Sequence, residues 1–232
     1  MQNKDNHMSY IEKFFKHFWM ICKHKYWVFY FACKCGIPIR GFFHDFSKFH
    51  PTEFFESVKY YTGTKSPIVS CKEDKGYSLA WQHHKGHNPH HYEYWVDNLD
   101  NGGTPLIIPF KYCVEMVCDW LAAGKSYQGK DFNYDAEYSW WQVKRKEVQH
   151  SMHPTIIKFF DRLFYNLKET GDCLLNKNQL KIYYRIALSN EDTTYVDNSE
   201  YEWGHNVPSY TGTDEDFYLY HHFKRLIYTR SN

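Results

Sequence analysis

From Ser9 to about Cys35 apolar residues recur at three- and four-residue steps, through Ile11, Phe14, Phe15, Phe18, Trp19, Cys22, Tyr26, Phe29, Tyr30 and Cys33. That is the period of a helix with one buried stripe. Ser9 suits its N-cap, with Glu12 three residues on to complete a capping box, and Gly36 suits its stop. Pro38 fits the first turn of a second helix, predicted to run to Lys48, because His50 precedes Pro51 and is pushed out of the helical region. Thr52 suits the cap of a third helix that fades by Tyr61. Thr62 to Gly76, with Lys65, Lys72 and Lys75, reads as a solvated loop or a mobile basic flap.

Gly86 and Asn88-Pro89 predict a bend between two helical pieces that carry His83, His84, His87, His90 and His91. A turn-rich connector from Asp97 ends at Pro109. There a helix opens with Tyr112, Cys113, Met116, Trp120 and Leu121 on its apolar side and Glu115 and Asp119 one turn apart on another. Gly124 to Asn133 reads as loop, and Tyr134–His150, Pro154–Lys168 and Asn178–Leu188 as three more helices. An acidic, turn-rich stretch precedes a last aromatic helix from Asp214 to about Thr229. With hardly a convincing strand, the expected fold class is all-α: a helical bundle over residues 1–189 and a C-terminal aromatic extension or lid over 190–232.

Composition narrows the function. Aromatic residues make up 20% of the chain, which excludes a disordered segment. The 28 basic against 27 acidic residues leave no footprint for a nucleic-acid polymer. Charges at Lys16, Lys23, Lys25 and Lys34 break the apolar N-terminal region too often for a membrane span. Seven cysteines do not suggest a disulfide framework, so a reducing, cytoplasmic setting is expected. The real excess is the 15 histidines, the side chain most used for metal ligation and proton transfer near neutral pH.

The densest chemistry is His44-Asp45-Phe46-Ser47-Lys48. An imidazole and a carboxylate side by side offer two ligands to a divalent ion, and an ion needs more. His24 lies twenty residues upstream, one helix end and one turn away, and Asp119 arrives from a later helix. His17 is a competing first ligand, less compactly placed. The cluster from His83 to His91 extends the case to two ions, with Asp45 bridging, His84 on the second ion, and His90 or His91 beside it. One or two divalent ions are expected, from Mn, Fe, Co, Zn or Mg. Lys48 is expected to hold a phosphate oxygen, with Asn88 also on the substrate. Glu115 is expected either to orient a ligand histidine or to pair with Lys111.

Taken as a set, His24, Gly36-Ile37, Gly41 to Phe49, His83-His84, Asn88 to Trp95, Glu115-Met116 and Asp119-Trp120 resemble the HD-domain superfamily of metal-dependent phosphohydrolases, over about residues 9 to 170. The resemblance implies a helical fold and a metal centre of His24, His44, Asp45 and Asp119, with His84, His90 and His91 added. Ser47-Lys48 is similar to the Gly-Lys that follows His-Asp in cyclic-dinucleotide phosphodiesterases of that superfamily, but their Gly-Tyr-Pro element is missing. The expected function is hydrolysis of a small nucleotide or cyclic dinucleotide, with Asp45 and Lys48 catalytic. The alternatives are a mixed-valent di-iron oxygenase and a non-catalytic protein that binds a ligand in the metal pocket.

Overall fold

Two long helices packed against each other carry His24 and Asp119, whose side chains meet between them. A computed structural model describes residues 8–189, and among these it contains nine α-helices. The all-α expectation therefore holds. The expected final helix at Asp214–Thr229 and the lid over 190–232 lie outside the described residues. No helix among the described residues is long and apolar enough to cross a membrane.

Helix α1 (Tyr10–Lys34) starts where expected: the Ser9 side chain accepts the Glu12 N–H at 3.2 Å. The Glu12 carboxylate does not complete a capping box and pairs instead with Lys16 at 2.7 Å. Gly36, at φ 71°, ends the helix, and Pro38 opens α2 (Pro38–Phe43). The two helices meet at Gly41, where any Cβ would overlap that of Ala32. This close approach sets the depth at which the residues after α2 enter the interior.

Helix α2 does not run to Lys48 as predicted. It stops at Phe43, Asp45 takes a left-handed conformation (φ 53°, ψ 31°), and Phe46–Phe49 form one 3-10 turn. The reason is geometric. Consecutive residues of a helix point about 100° apart, so a continuous helix would aim His44 and Asp45 at different surroundings. The reversal at Asp45 turns both inward, at a cost of about 1 kcal/mol for a non-glycine residue, and Asp is among the residues that tolerate it best.

Helix α3 (Pro51–Tyr60) is capped by the His50 ring, whose Nδ1 accepts the Thr52 N–H at 3.3 Å, rather than by Thr52. The predicted loop up to Gly76 contains a further helix, α4 (Pro67–Lys75), which ends at Gly76 with φ 79°. Only Cys71 is buried along it, so no apolar stripe marks it in the sequence. Its lysines are engaged: Lys65, just before it, pairs with Glu73, and Lys72 lies 5.0 Å over the Trp81 ring.

Helix α5 (Leu79–His87) carries the first histidines and the chain bends at Asn88-Pro89 as expected. A small antiparallel ribbon, β1 (Val96–Asp97) against β2 (Thr104–Pro105), closes the connector. Helix α6 (Phe110–Gln128) runs past Gly124, where a loop was predicted, because there the glycine lets the Glu137 carboxylate lie directly on the helix. Helices α7 (Tyr134–Val148), α8 (Pro154–Thr170) and α9 (Lys177–Leu188) complete the set. Their buried stripes, including Trp141, Phe160 and Phe164, pack with Met116 and Leu121 of α6 into the main core. Ile21, Phe54 and Val58 form a smaller cluster where α1 meets α3.

Two outcomes are expected from these contacts. Gly41→Ala gains about 1 kcal/mol in helix propensity but forces an overlap that costs about 1–3 kcal/mol, so denaturant unfolding should show a net loss. Ala32→Gly in the same chain should recover most of it. Glu137 is buried with Gln128 Nε2 at 2.9 Å, and burial pushes its carboxyl up to about 7. The folded protein thus favours the protonated acid. No penalty applies below the ordinary value of 4.5, and the full penalty applies above about 7. Glu137→Gln should accordingly raise stability by about 1–3 kcal/mol at pH 8 and leave it little changed at pH 4.

Candidate metal centre

Asp45 is at the centre of the site, and its two oxygens face different histidines. Oδ2 lies 3.1 Å from His44 Nε2 and 2.6 Å from Lys48 Nζ. Oδ1 lies 3.3 Å from His90 Nε2 and 3.4 Å from His84 Nε2. On the first side Asp119 Oδ1 stands 3.0 Å from His24 Nε2 and 3.4 Å from His44 Nε2. On the second side His91 Nε2 is 2.9 Å from His84 Nε2. The result is two groups of donor atoms, His24, His44, Asp45 and Asp119, and Asp45, His84, His90 and His91. Within each group all the donor atoms lie within 4.8 Å of one another. The seven sequence-predicted ligands are the seven residues brought together. A further overlapping group, His44, His90 and Glu115, shows how close the two histidines of opposite sides come.

These atoms fit cations and fit little else. The side chains of His44, Asp45, His84 and His90 are almost wholly withdrawn from solvent, with residue exposures of 1%, 1%, 2% and 1%. Yet His24 Nε2, His44 Nε2, His90 Nε2 and both Asp45 oxygens have no hydrogen bond of normal geometry, despite their close approaches. A buried polar atom without a partner costs about 1–3 kcal/mol, so five together at one point ask for an occupant. Donors bound to one ion at about 2.1 Å stand about 3 Å apart, which is the spacing seen here.

The other ring nitrogens explain why the Nε2 atoms face inward. His44 Nδ1 lies 3.1 Å from Glu115 Oε1, and His84 Nδ1 lies 2.8 Å from Glu53 Oε2. His90 Nδ1 lies 3.4 Å from Glu115 Oε1. Each carboxylate accepts an Nδ1–H, which fixes the tautomer and leaves the Nε2 lone pair for a metal. Arg40 donates to Glu115 Oε2 at 2.6 Å, and so Glu115 orients ligands and does not pair with Lys111. Burial works to raise the Glu115 carboxyl, but the hydrogen bonds from His44 and His90 hold it down to about 2.

The electrostatics agree. Burial alone would raise Asp45, but His44, Lys48, His84 and His90 hold it well below the usual carboxylate range. Burial likewise opposes ionisation of Asp119, and His24 and His44 overcome it. His44 is pulled down by burial yet ends well above its ordinary value because Asp45, Asp119 and Glu115 surround it. Two ionised acids in a dry pocket thus draw positive charge, which a divalent ion supplies better than a proton.

Not every predicted contact is made by the expected group. Asn88 Nδ2 donates to Ser47 Oγ and to the His84 carbonyl, both at 2.8 Å, and so braces the α5 bend, while the residue lines a second cavity together with Asp45 and His90. His83 stands apart with its Nδ1 2.6 Å from Glu53 Oε1, and His87 Nδ1 bonds the His83 carbonyl at 2.7 Å. His17 joins neither ligand group. Glu53 was missed in the sequence, where the only signal was an acid opposite two adjacent histidines from another helix. Arg40 was missed for the same reason.

The model of the family of unknown function (DUF5662) matches residues 13–165. The chain belongs to this family. No curated protein and no solved structure matches it. The matched span contains every residue of both ligand groups together with Arg40, Glu53 and Glu115, and it ends within α8 before α9 begins.

The sharing of Asp45 makes a testable pattern. Asn keeps the left-handed preference of this position but removes the charge. Asp45→Asn should therefore stay folded and lose metal from both groups at once. His24→Ala should lower the stoichiometry on the first side and His91→Ala on the second. Metal analysis and titration calorimetry with Mn or Co on the purified variants would check this. Independent loss at Asp45→Asn, of one ion only, would contradict the bridge.

Proposed function

We propose that this protein is a metal-dependent phosphohydrolase that cleaves a phosphoester at a dinuclear centre. The observation that carries the reading is Asp45, whose two oxygens face the two donor groups, with Lys48 paired to one of them. The order His24, His44-Asp45, histidine cluster, Asp119, which resembles the HD-domain superfamily, supports it further.

His24, His44, Asp45 and Asp119 would hold one divalent ion and Asp45, His84, His90 and His91 a second, which would supply Lewis acidity to phosphoryl oxygens and acidity to water near neutral pH. The protein supplies position and charge. Asp45, Asp119 and the five histidines fix where the phosphoryl group can sit. Lys48 stays protonated, because Asp45 and Asp119 outweigh the effect of burial on its ammonium. Its Nζ, on the same side as Asp119, offsets charge that develops on the phosphoryl oxygens as water adds to phosphorus and the ester oxygen departs. The departing oxygen takes up the proton that the water gives up, so the step is balanced by hydrolysis alone.

A second reading is favoured by the composition of the second group. Its three imidazoles, His84, His90 and His91, with one carboxylate suit iron, and an oxygenase of the mixed-valent di-iron type uses such nitrogen-rich surroundings. Purified protein loaded separately with Mn, Co and Fe should hydrolyse phosphoesters, and Lys48→Ala should lower kcat about 10- to 1,000-fold with metal content unchanged. Tight, stoichiometric iron with an absorption band that changes on exposure to dioxygen, and no hydrolysis with any metal, would move the assignment to oxidation.

A further inference from the structure

One cavity of about 240 Å³ opens on both ligand groups, with His24, Asp119 and His84 at its inner wall and Lys48 beside them. Its far end is made by His17 of α1 and Ser126 of α6. His17 precedes His24 by seven residues and Ser126 follows Asp119 by seven. Each therefore lies on the same face of its helix as a ligand and about 10 Å further along. Both are more than nine-tenths buried, at 8% and 3% exposure, and both carry a polar atom with no partner: His17 Nδ1 and Ser126 Oγ. The lining also includes Met20 and Ile21 from α1 together with Ser57, Tyr61 and Lys65.

We propose that this cavity is the substrate subsite, and that it takes a small phosphomonoester whose carbon chain bears hydroxyl groups. His17 and Ser126 are its specificity-determining residues. The inference rests on the phosphohydrolase reading and narrows it. The phosphoryl end belongs beside Lys48 and the ligand groups, where the charge is. The far end offers two uncharged hydrogen-bonding groups, since burial, with Lys48 nearby, holds His17 down to about 4 and leaves it neutral at physiological pH. A neutral imidazole and a hydroxyl recognise a hydroxyl or carbonyl, and leaving them unpaired penalises a substrate that lacks one.

Size makes the choice sharper. An apolar cavity of 150 Å³ holds benzene, so by proportion about ten non-hydrogen atoms fill one of this size. Glycerol phosphate has that bulk, and a cyclic dinucleotide is several times larger. A nucleotide would extend out of this cavity, or enter by the second one, of about 570 Å³, that Asp45, Asn88 and His90 line.

The test uses the full chain loaded with Mn and three esters: glycerol 3-phosphate, n-propyl phosphate, which is close in size but lacks the hydroxyls, and a cyclic dinucleotide. Wild-type protein should prefer glycerol 3-phosphate over n-propyl phosphate by about tenfold or more in kcat/KM, and over the cyclic dinucleotide by more. His17→Phe and Ser126→Ala should raise KM for glycerol 3-phosphate about tenfold with kcat little changed, and His17→Phe should erase the preference over n-propyl phosphate. His17→Gln should restore part of it. Metal content and thermal midpoint should match wild type, because Phe54 and Tyr61 already surround His17 with aromatic rings.

Unchanged selectivity in the variants, or a cyclic dinucleotide turned over best, overturns the subsite while leaving the hydrolase standing. Should no ester be cleaved, the hydrolase reading fails. Calorimetry of glycerol 3-phosphate with the metal-loaded protein then decides the cavity: binding weakened by His17→Phe supports it, and no binding to wild type overturns it.

Discussion

A buried, ionised carboxylate set among imidazoles, with one ammonium against one of its oxygens, is what the rest of this structure has to accommodate. Burying such a group costs several kcal/mol unless charge of the opposite sign lies against it. Lys48 answers one oxygen of Asp45, and His84 and His90 approach the other without bonding to it. The arrangement is poor as an ion-pair network and good as a pair of cation sites. That contrast is stronger evidence for metal than the number of histidines, since solvated histidines such as His87 contribute to the count and nothing to the centre.

The fold delivers this arrangement through a few constrained positions. Gly41 brings α2 against α1 so that the chain enters the interior at the level of His24. The left-handed turn at Asp45 then spreads one dipeptide over both sides of the centre. Two glutamates from separate helices complete it: Glu115 on α6 fixes His44, and Glu53 on α3 fixes both His83 and His84. Removing either acid would free a ring to flip, so the centre depends on α3, which supplies no donor to either group, as well as on the elements that do.

Much of this was legible in the sequence, and the misses have physical causes. All seven residues of the two donor groups could be named because metal chemistry restricts the residue types and because helical spacing restricts where they meet. The long helices were legible because each buries a stripe. Helix α4 was not, since it buries almost nothing, and its lysines suggested a loop. Gly124 was misread as a stop because a glycine needed for close packing looks the same in sequence as one that ends a helix. Helix α2 is shorter than its flanking prolines suggest, because the next stop signal in the sequence is His50-Pro51, whereas the tertiary requirement that His44 and Asp45 face one point ends it at Phe43. The amide of Asn88 supports the bend after α5, a role that a polar residue in a histidine cluster does not advertise in sequence. His17 lies outside both donor groups, and its seven-residue spacing from His24 places it on the wall of the cavity that reaches them.

The two ligand groups are not equivalent, and the inequality has a direction. The first holds two carboxylates and two imidazoles, the second one carboxylate and three imidazoles. Oxygen donors favour harder ions and leave less residual charge on the cation, while imidazoles leave more. Lys48, the only ammonium shown paired with Asp45, stands on the oxygen-rich side and restores positive potential there. The charge is thus evened across Asp45 by a lysine where a third imidazole would have served. Because Lys48 also lines the cavity that leads to His17 and Ser126, the side chain that balances the centre is also part of that cavity's wall.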